Sequence, residues 1–351
     1  MKQRVVVVDD SAICRALLRD WLETDGDLEV VGEAVDGDTA IEVISRLRPD
    51  VATIDLRMPG MSGLDLISYL MARAPLPILV LTGDASSHDP LVAFEAVRRG
   101  ALDLMLKPSE VDDDAIRSLR ARVRWLAHVP VVRHPGGHRH LEPYASYPTT
   151  VPWLPLASGD PVLVGIAASA GGPSALATVL GSLTADLPIC LAIVQHLPRG
   201  FAPSFVSFLQ ARCSLTVCLA EHGMLPRAAT VVLAPDDHHL ELVDGHFALT
   251  SGPPVDGHRP SGSVLLRSLA QLGSKAIGVV LSGIGRDGAD GLRTMRERQS
   301  ATFAQDAESS VVYGMPRAAY EEGGAQSVLP VGQLGTAIIA AAALARRRRR
   351  L

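Results

Sequence analysis

Residues 4–10 read Arg-Val-Val-Val-Val-Asp-Asp, an apolar, β-branched run that ends abruptly in two carboxylates. A short run of this kind is typical of a strand buried on both faces of a parallel sheet. Similar runs recur up to about residue 122 and are separated by longer amphipathic stretches, which predicts strands and helices that alternate. The predicted strands are Arg4–Val8, Leu28–Ala34, Val51–Asp55, Ile78–Thr82 and Leu102–Leu106.

The same alternation resumes after Pro161 and predicts a second α/β domain. Its clearest predicted strands are Val162–Ala167, Ile189–Gln195, Thr230–Ala234, Ala276–Ser282 and Ala301–Gln305. Between the two halves, six prolines from Pro130 to Pro155 break any regular element and indicate a linker. His134, His138 and His140 in this linker could bind a metal, but a Pro-rich segment gives such ligands little support.

These patterns predict two doubly wound, parallel-sheet α/β domains joined by a Pro-rich linker, the first flavodoxin-like and the second Rossmann-like. The expected boundaries are a first domain at 1–122, a linker at 123–158, a second domain at 159–345 and a basic tail at 346–351. At 351 residues the chain is long enough for two domains and two separate chemical sites.

Charge and composition exclude several classes of protein. A formal charge of −5 argues against electrostatic binding of nucleic acid along the whole chain. The arginine run 346–350 is interpreted as a solvated tail. The start of the chain does not resemble a signal peptide, and no apolar stretch is long enough to span a bilayer. Four cysteines without a Cys-x-x-Cys pair indicate free thiols. We therefore expect a cytoplasmic protein with no nucleic-acid partner and no membrane insertion.

Acidic side chains end two of the first domain's strands: Asp9 and Asp10 follow the first, and Asp55 closes the third. Strand ends of a parallel sheet converge on one edge, and a group of carboxylates there suits Mg²⁺. Asp55 could then act as a nucleophile toward a phosphoryl group. Thr82 and Lys107, at the ends of the fourth and fifth strands, would offset the phosphoryl charge.

These residues resemble the receiver domains of bacterial response regulators over about residues 3–120. The matching motifs are Val-Val-Asp9-Asp10-Ser-Ala, Asp55-Leu-Arg-Met-Pro59-Gly-Met-Ser-Gly63-Leu, Thr82-Gly and Lys107-Pro108. The resemblance implies that Asp55 is phosphorylated and that Thr82 and Lys107 contact the phosphoryl group. It also implies Mg²⁺ bound by Asp9, Asp10, Asp55 and the Arg57 carbonyl. Leu104 stands where the family often has an aromatic switch residue.

Three residue types that can form a hydrolase triad follow three strands of the second domain. They are Ser169 in Gly165-Ile-Ala-Ala-Ser169-Ala-Gly-Gly-Pro, His196 after Gln195, and Asp287 in Gly283-Ile-Gly-Arg-Asp287-Gly. His196 could take the serine proton while Asp287 orients the imidazole. Ser169 does not lie in a Gly-x-Ser-x-Gly elbow, because Ala167 occupies the first glycine position. Taken alone, it could equally cap a helix or bind phosphate.

Residues 161–338 resemble the catalytic domain of chemotaxis protein-glutamate methylesterases. The matching motifs are Ser169-Ala-Gly-Gly-Pro-Ser-Ala-Leu, Gln195-His-Leu-Pro-Arg-Gly-Phe, Ala234-Pro-Asp-Asp-His-His-Leu, Leu281-Ser-Gly-Ile-Gly-Arg-Asp287-Gly-Ala and Ala304-Gln-Asp-Ala-Glu-Ser-Ser-Val-Val-Tyr-Gly-Met-Pro. The resemblance implies that Ser169 is the nucleophile, His196 the general base and acid, and Asp287 the orienting carboxylate.

The resemblance implies hydrolysis of glutamate methyl esters on chemoreceptors to glutamate and methanol, with deamidation of receptor glutamines as a related activity. The implied partners are chemoreceptor cytoplasmic domains and a chemotaxis-type histidine kinase. Mg²⁺ is expected for receiver phosphorylation, and no cofactor for the esterase reaction. The receiver is expected to cover the esterase site until Asp55 is phosphorylated. Asp236-Asp237 replaces a glycine pair of the family, and residues 254–260 resemble its substrate-side loop.

Three alternatives remain open at this stage. Gly283-Ile-Gly285-Arg-Asp-Gly288 fits a dinucleotide-binding fingerprint, with Asp306 downstream. A second alternative is a signalling adaptor with an inactive esterase domain, although all three triad residues are present. A DNA-binding response regulator would need a basic helix-turn-helix, and the strand–helix alternation of the second half does not predict one.

Overall fold

The computed structural model describes residues 2–83, 89–108, 112–129, 131 and 161–349. The chain divides into two compact units, and the division falls among residues outside this set. Most of the predicted linker, including His134, His138 and His140, also lies outside the described residues. The predicted domain boundaries therefore remain predictions.

In the part of the first unit that the structure describes, five strands alternate with five helices, as its buried apolar runs predict. The strands are β1 (Gln3–Val8), β2 (Leu28–Ala34), β3 (Val51–Asp55), β4 (Ile78–Thr82) and β5 (Asp103–Leu106). The helices are α1 (Ala12–Glu23), α2 (Gly37–Leu47), α3 (Gly63–Arg73), α4 (Asp89–Arg98) and α5 (Asp113–Leu126). The strand order is β2-β1-β3-β4-β5, and β1 pairs in parallel with β2 and β3. This order is that of a flavodoxin-like sheet, as predicted.

Side-chain caps fix where several helices of this unit begin. Ser11, Asp36, Ser62 and Asp112 each accept a hydrogen bond from a backbone N–H in the first turn of the following helix. Such a cap satisfies one of the N–H groups that a helix leaves without an internal partner. The helix starts, and hence the loops at the carboxyl edge of the sheet, are therefore set locally by the sequence.

The second unit has nine strands and six helices within the described residues. The strands are β6 (Val162–Ala168), β7 (Ile189–Gln195), β8 (Thr216–Leu219), β9 (Thr230–Leu233), β10 (His239–Val243), β11 (His246–Thr250), β12 (Ala276–Val280), β13 (Ala301–Gln305) and β14 (Ser327–Leu329). The helices are α6 (Gly172–Gly181), α7 (Ala202–Gln210), α8 (Gly262–Ala270), α9 (Ala289–Glu297), α10 (Met315–Glu321) and α11 (Val331–Arg349).

Seven of these strands form one parallel sheet in the order β14-β13-β12-β6-β7-β9-β8, with β6, β7 and β12 side by side. In this sheet β6 is the first strand in sequence. The strands β7 to β9 lie on one side of it and β12 to β14 on the other, so the strand order reverses beside β6. Ligands of open α/β sheets bind at the carboxyl edge near such a reversal. The doubly wound, Rossmann-like prediction is confirmed.

The sequence reasoning missed β8, β14 and the hairpin of β10 and β11. The first two are short strands at the sheet edges, with little apolar pattern to detect. The hairpin could have been predicted from the pair Asp244-Gly245, which joins its two strands. In the structure these two residues have φ of 48° and 81°. An Asp-Gly pair between apolar segments is a strong indicator of a two-residue hairpin turn. None of the helices in the described part of the chain is long and apolar enough to cross a membrane.

Candidate functional site

Ser169 lies directly beyond β6, at the start of a turn that leads into α6. Its backbone N–H donates to the Ser282 carbonyl at 3.0 Å, and its own carbonyl accepts from Gly172 N–H at 2.8 Å. The turn needs glycine at Gly171, where φ is +74° and a Cβ would lie 2.4 Å from the Val311 Cβ. The turn therefore holds Ser169, which is almost fully buried, beside the N-terminus of α6.

His196 lies beside Ser169 because their strands are neighbours in register. Ala168 pairs with Gln195, so the next residue of each strand is Ser169 and His196. The His196 N–H donates to the Ala168 carbonyl at 3.0 Å, which extends the pairing by one step. Adjacent strands lie about 4.8 Å apart, so the serine and histidine backbones are within side-chain reach.

The Gln195 side chain ties the two backbones together. Its Nε2 donates to the Ser169 carbonyl at 2.8 Å and to the His196 carbonyl at 3.0 Å. Gln195 is only 4% exposed, so water does not compete freely for these bonds. One buried amide thus holds the candidate nucleophile and the candidate base in a fixed relation.

Asp287 follows β12 and accepts a hydrogen bond from the His196 ring, with Nε2 2.9 Å from Oδ2. Four further donors surround its carboxylate: Ser261 Oγ at 2.7 Å, Gly262 N at 2.6 Å, and Ser263 N and Gly288 N both at 2.9 Å. Three of these donors come from the first residues of α8 and its cap, where free N–H groups favour an anion.

These donors keep Asp287 ionised although it is 1% exposed. Burial alone would raise its pKa, but the hydrogen bonds from His196, Ser261 and Ser263 and the His196 charge hold the pKa well below its usual range. With Nε2 of His196 engaged by Asp287, the buried Nδ1 has no hydrogen-bond partner among the described residues. Nδ1 is therefore the ring nitrogen available to the serine.

A cleft beside His196 is lined by residues that follow β7 and β9 and by the loop before α8. The Asp236 carboxylate accepts from Gly200 N–H at 2.7 Å, and Asp237 pairs with Arg199. Asp237 has a φ of +58°, a conformation that aspartate tolerates better than most residues. The acidic pair therefore fits this turn and holds the loop after His196 in place.

The first unit brings its predicted acidic residues together at the carboxyl edge of the sheet. Ligand oxygens of Asp9, Asp10 and Asp55 lie within 4.8 Å of one another. The Lys107 ammonium lies 2.7 Å from Asp9 Oδ2 and 2.6 Å from Asp55 Oδ2. Close packing secures the turn after β3, because a Cβ on Gly63 would lie 2.3 Å from the Asp55 carbonyl oxygen.

Burial and charge act in opposite directions in this carboxylate cluster. Burial raises the pKa of Asp9 above its ordinary value, although Lys107 favours the ionised form. Burial also disfavours the Lys107 ammonium, but its hydrogen bonds to Asp55 and Asp9 outweigh this, and its pKa is raised. The cluster thus places three carboxylates around the Lys107 ammonium.

The remaining predicted receiver residues lie around this cluster. Thr82 is buried at the end of β4, one register step beyond the residue that faces Asp55, and its carbonyl accepts from Lys107 N–H at 2.8 Å. The Arg57 N–H donates to Asp55 Oδ1 at 3.2 Å, which places the Arg57 backbone beside the cluster. Leu104 is buried within β5.

Several residues that shape the site were not predicted. They are Gln195, Ser261, the Gly262 and Ser263 backbones, and His258, whose ring stacks on His196. Ser261 before the apolar run 264–266 carried the signal of a helix cap. Nothing in the sequence indicated that this cap faces Asp287, because the contact joins segments far apart in the chain. The fingerprint 283–288 is explained by the same site, since its Asp287 binds His196.

Comparison with known proteins agrees with this geometry. The family described as response regulator receiver domain matches residues 5–118, and the family described as CheB methylesterase matches residues 164–338. A protein-glutamate methylesterase/protein-glutamine glutaminase of Anaeromyxobacter dehalogenans is 41% identical over 338 residues, 95% of this chain and 96% of the relative. The chain belongs to this methylesterase family.

Other members of the methylesterase family match along the whole chain. A Myxococcus xanthus protein with the same name, numbered 1, is 37% identical over 98% of both chains. The crystal structure of the Thermotoga maritima CheB methylesterase catalytic domain superposes with a TM-score of 0.50 and 34% identity. It covers 51% of this chain and 98% of that domain. The two-domain organisation is thus that of the family.

Proposed function

We propose that this protein is a phosphorylation-controlled serine esterase that hydrolyses glutamate methyl esters on chemoreceptors. The observation that carries the proposal is that Ser169 and His196 follow neighbouring strands in register, with His196 Nε2 2.9 Å from an Asp287 carboxylate that four other donors also bind. A histidine–carboxylate pair beside a serine is what a serine hydrolase triad needs.

In the first half of the reaction, Ser169 Oγ attacks the ester carbonyl of the methylated glutamate while His196 Nδ1 takes the serine proton. Asp287 keeps the ring oriented and stabilises the imidazolium, and the positive end of the α6 dipole, beside Ser169, would favour the developing oxyanion. The imidazolium then gives its proton to the methoxy oxygen, the C–O bond breaks, and methanol leaves. A glutamyl ester of Ser169 remains.

In the second half, water attacks the acyl enzyme while His196 takes a proton from it. The tetrahedral species collapses, the proton returns to Ser169 Oγ, and the product is a glutamate carboxylate. A glutamine side chain would follow the same course with ammonia as the leaving group, in keeping with the glutaminase activity in the relatives' names.

In the receiver, we assign phosphorylation to Asp55 and phosphoryl contacts to Thr82 and Lys107. The donor set at this edge fits a divalent cation, because three carboxylates offer the hard oxygen ligands that Mg²⁺ prefers. Asp9, Asp10, Asp55 and the Arg57 carbonyl would hold it. When bound, Mg²⁺ would offset the negative charge of the transferring phosphoryl group.

The proposed partners follow from the two chemistries. A histidine kinase of the chemotaxis type would supply the phosphoryl group, and the cytoplasmic domains of methyl-accepting receptors would present the ester, so we place the protein in the cytoplasm. Phosphorylation would shift the receiver between a form that restrains the esterase and one that does not. Such coupling usually amounts to about 1–3 kcal/mol.

The test is methanol release from methylated receptor cytoplasmic fragments by the full-length protein with acetyl phosphate and Mg²⁺. Ser169→Ala should abolish release. Ser174→Ala should retain it, because the Ser174 side chain is exposed in the first turn of α6 and the substitution leaves its backbone N–H in place. Equal release by wild type and Ser169→Ala would rule out the proposed nucleophile. No release by wild type, with tight receptor binding, would favour the adaptor alternative.

A further inference from the structure

The ring of His258 lies flat against the ring of His196, with centroids 3.7 Å apart and planes 14° from parallel. We propose that His258 is a positioning residue of the esterase, which fixes the plane in which His196 takes and returns the proton. This inference rests on the proposed function and deepens it, because it assigns a role to a residue outside the triad.

A single hydrogen bond does not fix an imidazole ring. The hydrogen bond from His196 Nε2 to Asp287 Oδ2 is 2.9 Å long and fixes one ring atom. The torsion between Cβ and the ring is broad in histidine, so the ring can still tilt. A second ring packed flat on one face opposes that tilt, and near-parallel rings at this separation make a favourable contact. His196 is thus held along one edge by Asp287 and on one face by His258.

His258 is itself delivered by a tight turn. Val255 and His258 exchange two backbone hydrogen bonds, both 3.0 Å long. The residues between them, Asp256 and Gly257, have φ of 51° and 79°. Two central residues with positive φ make a type I′ turn, one of the most sharply defined short connections. The position of the His258 backbone is therefore set by the turn.

The loop that contains this turn is fastened at both ends. His239 is 3% exposed, and its Nε2 donates to the Pro253 carbonyl at 3.0 Å while its Nδ1 accepts from Ser261 N–H at 3.2 Å. Arg259 also donates from Nη1 to the Gly252 carbonyl at 3.0 Å. One buried histidine therefore holds the residues just before and just after the turn that presents His258.

The same short segment also binds Asp287. Residues 258–263 supply the stacked ring at one end and, at the other, the Ser261 hydroxyl and the Gly262 and Ser263 N–H groups that surround the Asp287 carboxylate. Two members of the triad are thus set by one continuous segment. Its position decides both where the imidazole lies and how the carboxylate orients it.

The experiment compares His258→Ala and His258→Phe in the full-length protein with acetyl phosphate and Mg²⁺. Phenylalanine keeps a flat ring against His196 but lacks the imidazole nitrogens. The matched control is His246→Ala, because His246 is exposed and its ring contacts only the Asp244 carbonyl among the hydrogen bonds described. Each variant is measured for kcat and KM of methanol release, for the rate of Ser169 labelling by a fluorophosphonate, and for thermal unfolding.

For His258→Ala we expect kcat and the labelling rate to fall about 10-fold to 100-fold with KM unchanged, since a displaced base slows proton transfer at either substrate. His258→Phe should recover most of both rates, and His246→Ala should match wild type. The labelling rate needs no receptor, so it reports on Ser169 activation alone. If the alanine variant unfolds, the phenylalanine variant still tests the ring contact.

Three results would overturn the positioning role: a His258→Ala enzyme as fast as wild type, a change in KM alone, or a folded His258→Phe enzyme as slow as His258→Ala. The last would show that the imidazole itself takes part in the chemistry. A wild type that releases no methanol and labels no faster than Ser169→Ala would overturn the proposed function and this inference together. An active wild type with unaffected His258 variants would overturn this inference only.

Discussion

The carboxylate cluster of the first unit and the Asp287 site of the second lie at equivalent edges of two parallel sheets, but they treat negative charge in opposite ways. In the cluster, three carboxylates lie together, the Lys107 ammonium pairs with those of Asp9 and Asp55, and burial raises the pKa of Asp9. At Asp287, a single carboxylate is surrounded by the His196 ring and four other donors, and its pKa is lowered.

The difference shows what each edge is built to do. The cluster gathers three carboxylates, which suit a divalent cation and the phosphoryl group that the cation accompanies. The Asp287 charge is already matched by protein donors, so the carboxylate is rigid and serves to orient an imidazole. We therefore propose that the first edge accepts charge from outside the chain, whereas the second holds its charge for use within the site.

Replacing the carboxylate at the second edge should have the largest effect. Asp287→Asn keeps the shape of the side chain but removes the charge and puts an amide where several donors converge. We expect kcat for methanol release to fall by about 10⁴-fold, because the imidazole loses its orienting anion. Asp290→Asn is the control, since Asp290 pairs with Arg293 outside the triad. A loss below tenfold in Asp287→Asn would contradict the assigned role.

Removing one of the donors around Asp287 should have a smaller effect. Ser261→Ala deletes the 2.7 Å bond to Oδ1 and the cap of α8. We expect about a tenfold fall in kcat and a loss of about 1–2 kcal/mol in stability.

Ser268→Ala on the same helix separates the two effects of Ser261→Ala. The Ser268 hydroxyl accepts from Leu242 N–H at 2.9 Å, away from the triad, so its loss should lower stability and leave kcat unchanged. Equal kcat in both variants would show that the hydroxyl of Ser261 serves only the helix.

The lowered pKa of Asp287 also predicts a pH dependence of stability. A carboxyl whose pKa is lower in the folded state than in the unfolded state, where it is about 3.9, stabilises the fold above that pH. This contribution is lost as the pH falls through the folded-state pKa. In urea unfolding of the second unit, the stability difference between wild type and Asp287→Asn should therefore shrink below about pH 4. A difference that stays constant from neutral to acid pH would contradict the lowered pKa.

The smallest expected effect lies away from both sites and tests only the backbone. Gln299 follows α9 with a φ of +68°, a conformation that glycine adopts without strain. Gln299→Gly should raise the stability of the second unit by about 0.5–1 kcal/mol and leave kcat unchanged. Chemical denaturation measures the first quantity and methanol release the second. A destabilised variant would show that the glutamine side chain makes a contact that stabilises the fold by more than the backbone strain costs.

Most of the fold could be predicted from the sequence because buried parallel strands are continuous apolar runs. β2, β3, β4, β7 and β13 begin and end at the predicted residues. The alternation of strands and helices predicts parallel, doubly wound sheets. The short edge strands β8 and β14 were missed because their few residues are not fully buried and carry little pattern.

The residues of the candidate sites also differ in whether the sequence alone could identify them. Ser169, His196 and Asp55 could be identified because each lies at or directly after the end of a recognisable strand. Ser261 and His258 could not, because their contacts depend on how α8 and the loop before it fold back onto β7 and the turn after β12. Contacts of this kind join segments far apart in the sequence and leave no periodic signal along it.

The most direct test of the account is whether the charge accepted at the first edge controls the chemistry at the second. Methanol release by the full-length protein should be measured with and without acetyl phosphate, at constant Mg²⁺, for wild type and Asp55→Asn. The account predicts that acetyl phosphate raises the rate of wild type and leaves that of Asp55→Asn unchanged. A response of equal size in both proteins, or no response in either beside an active esterase, would contradict control through Asp55.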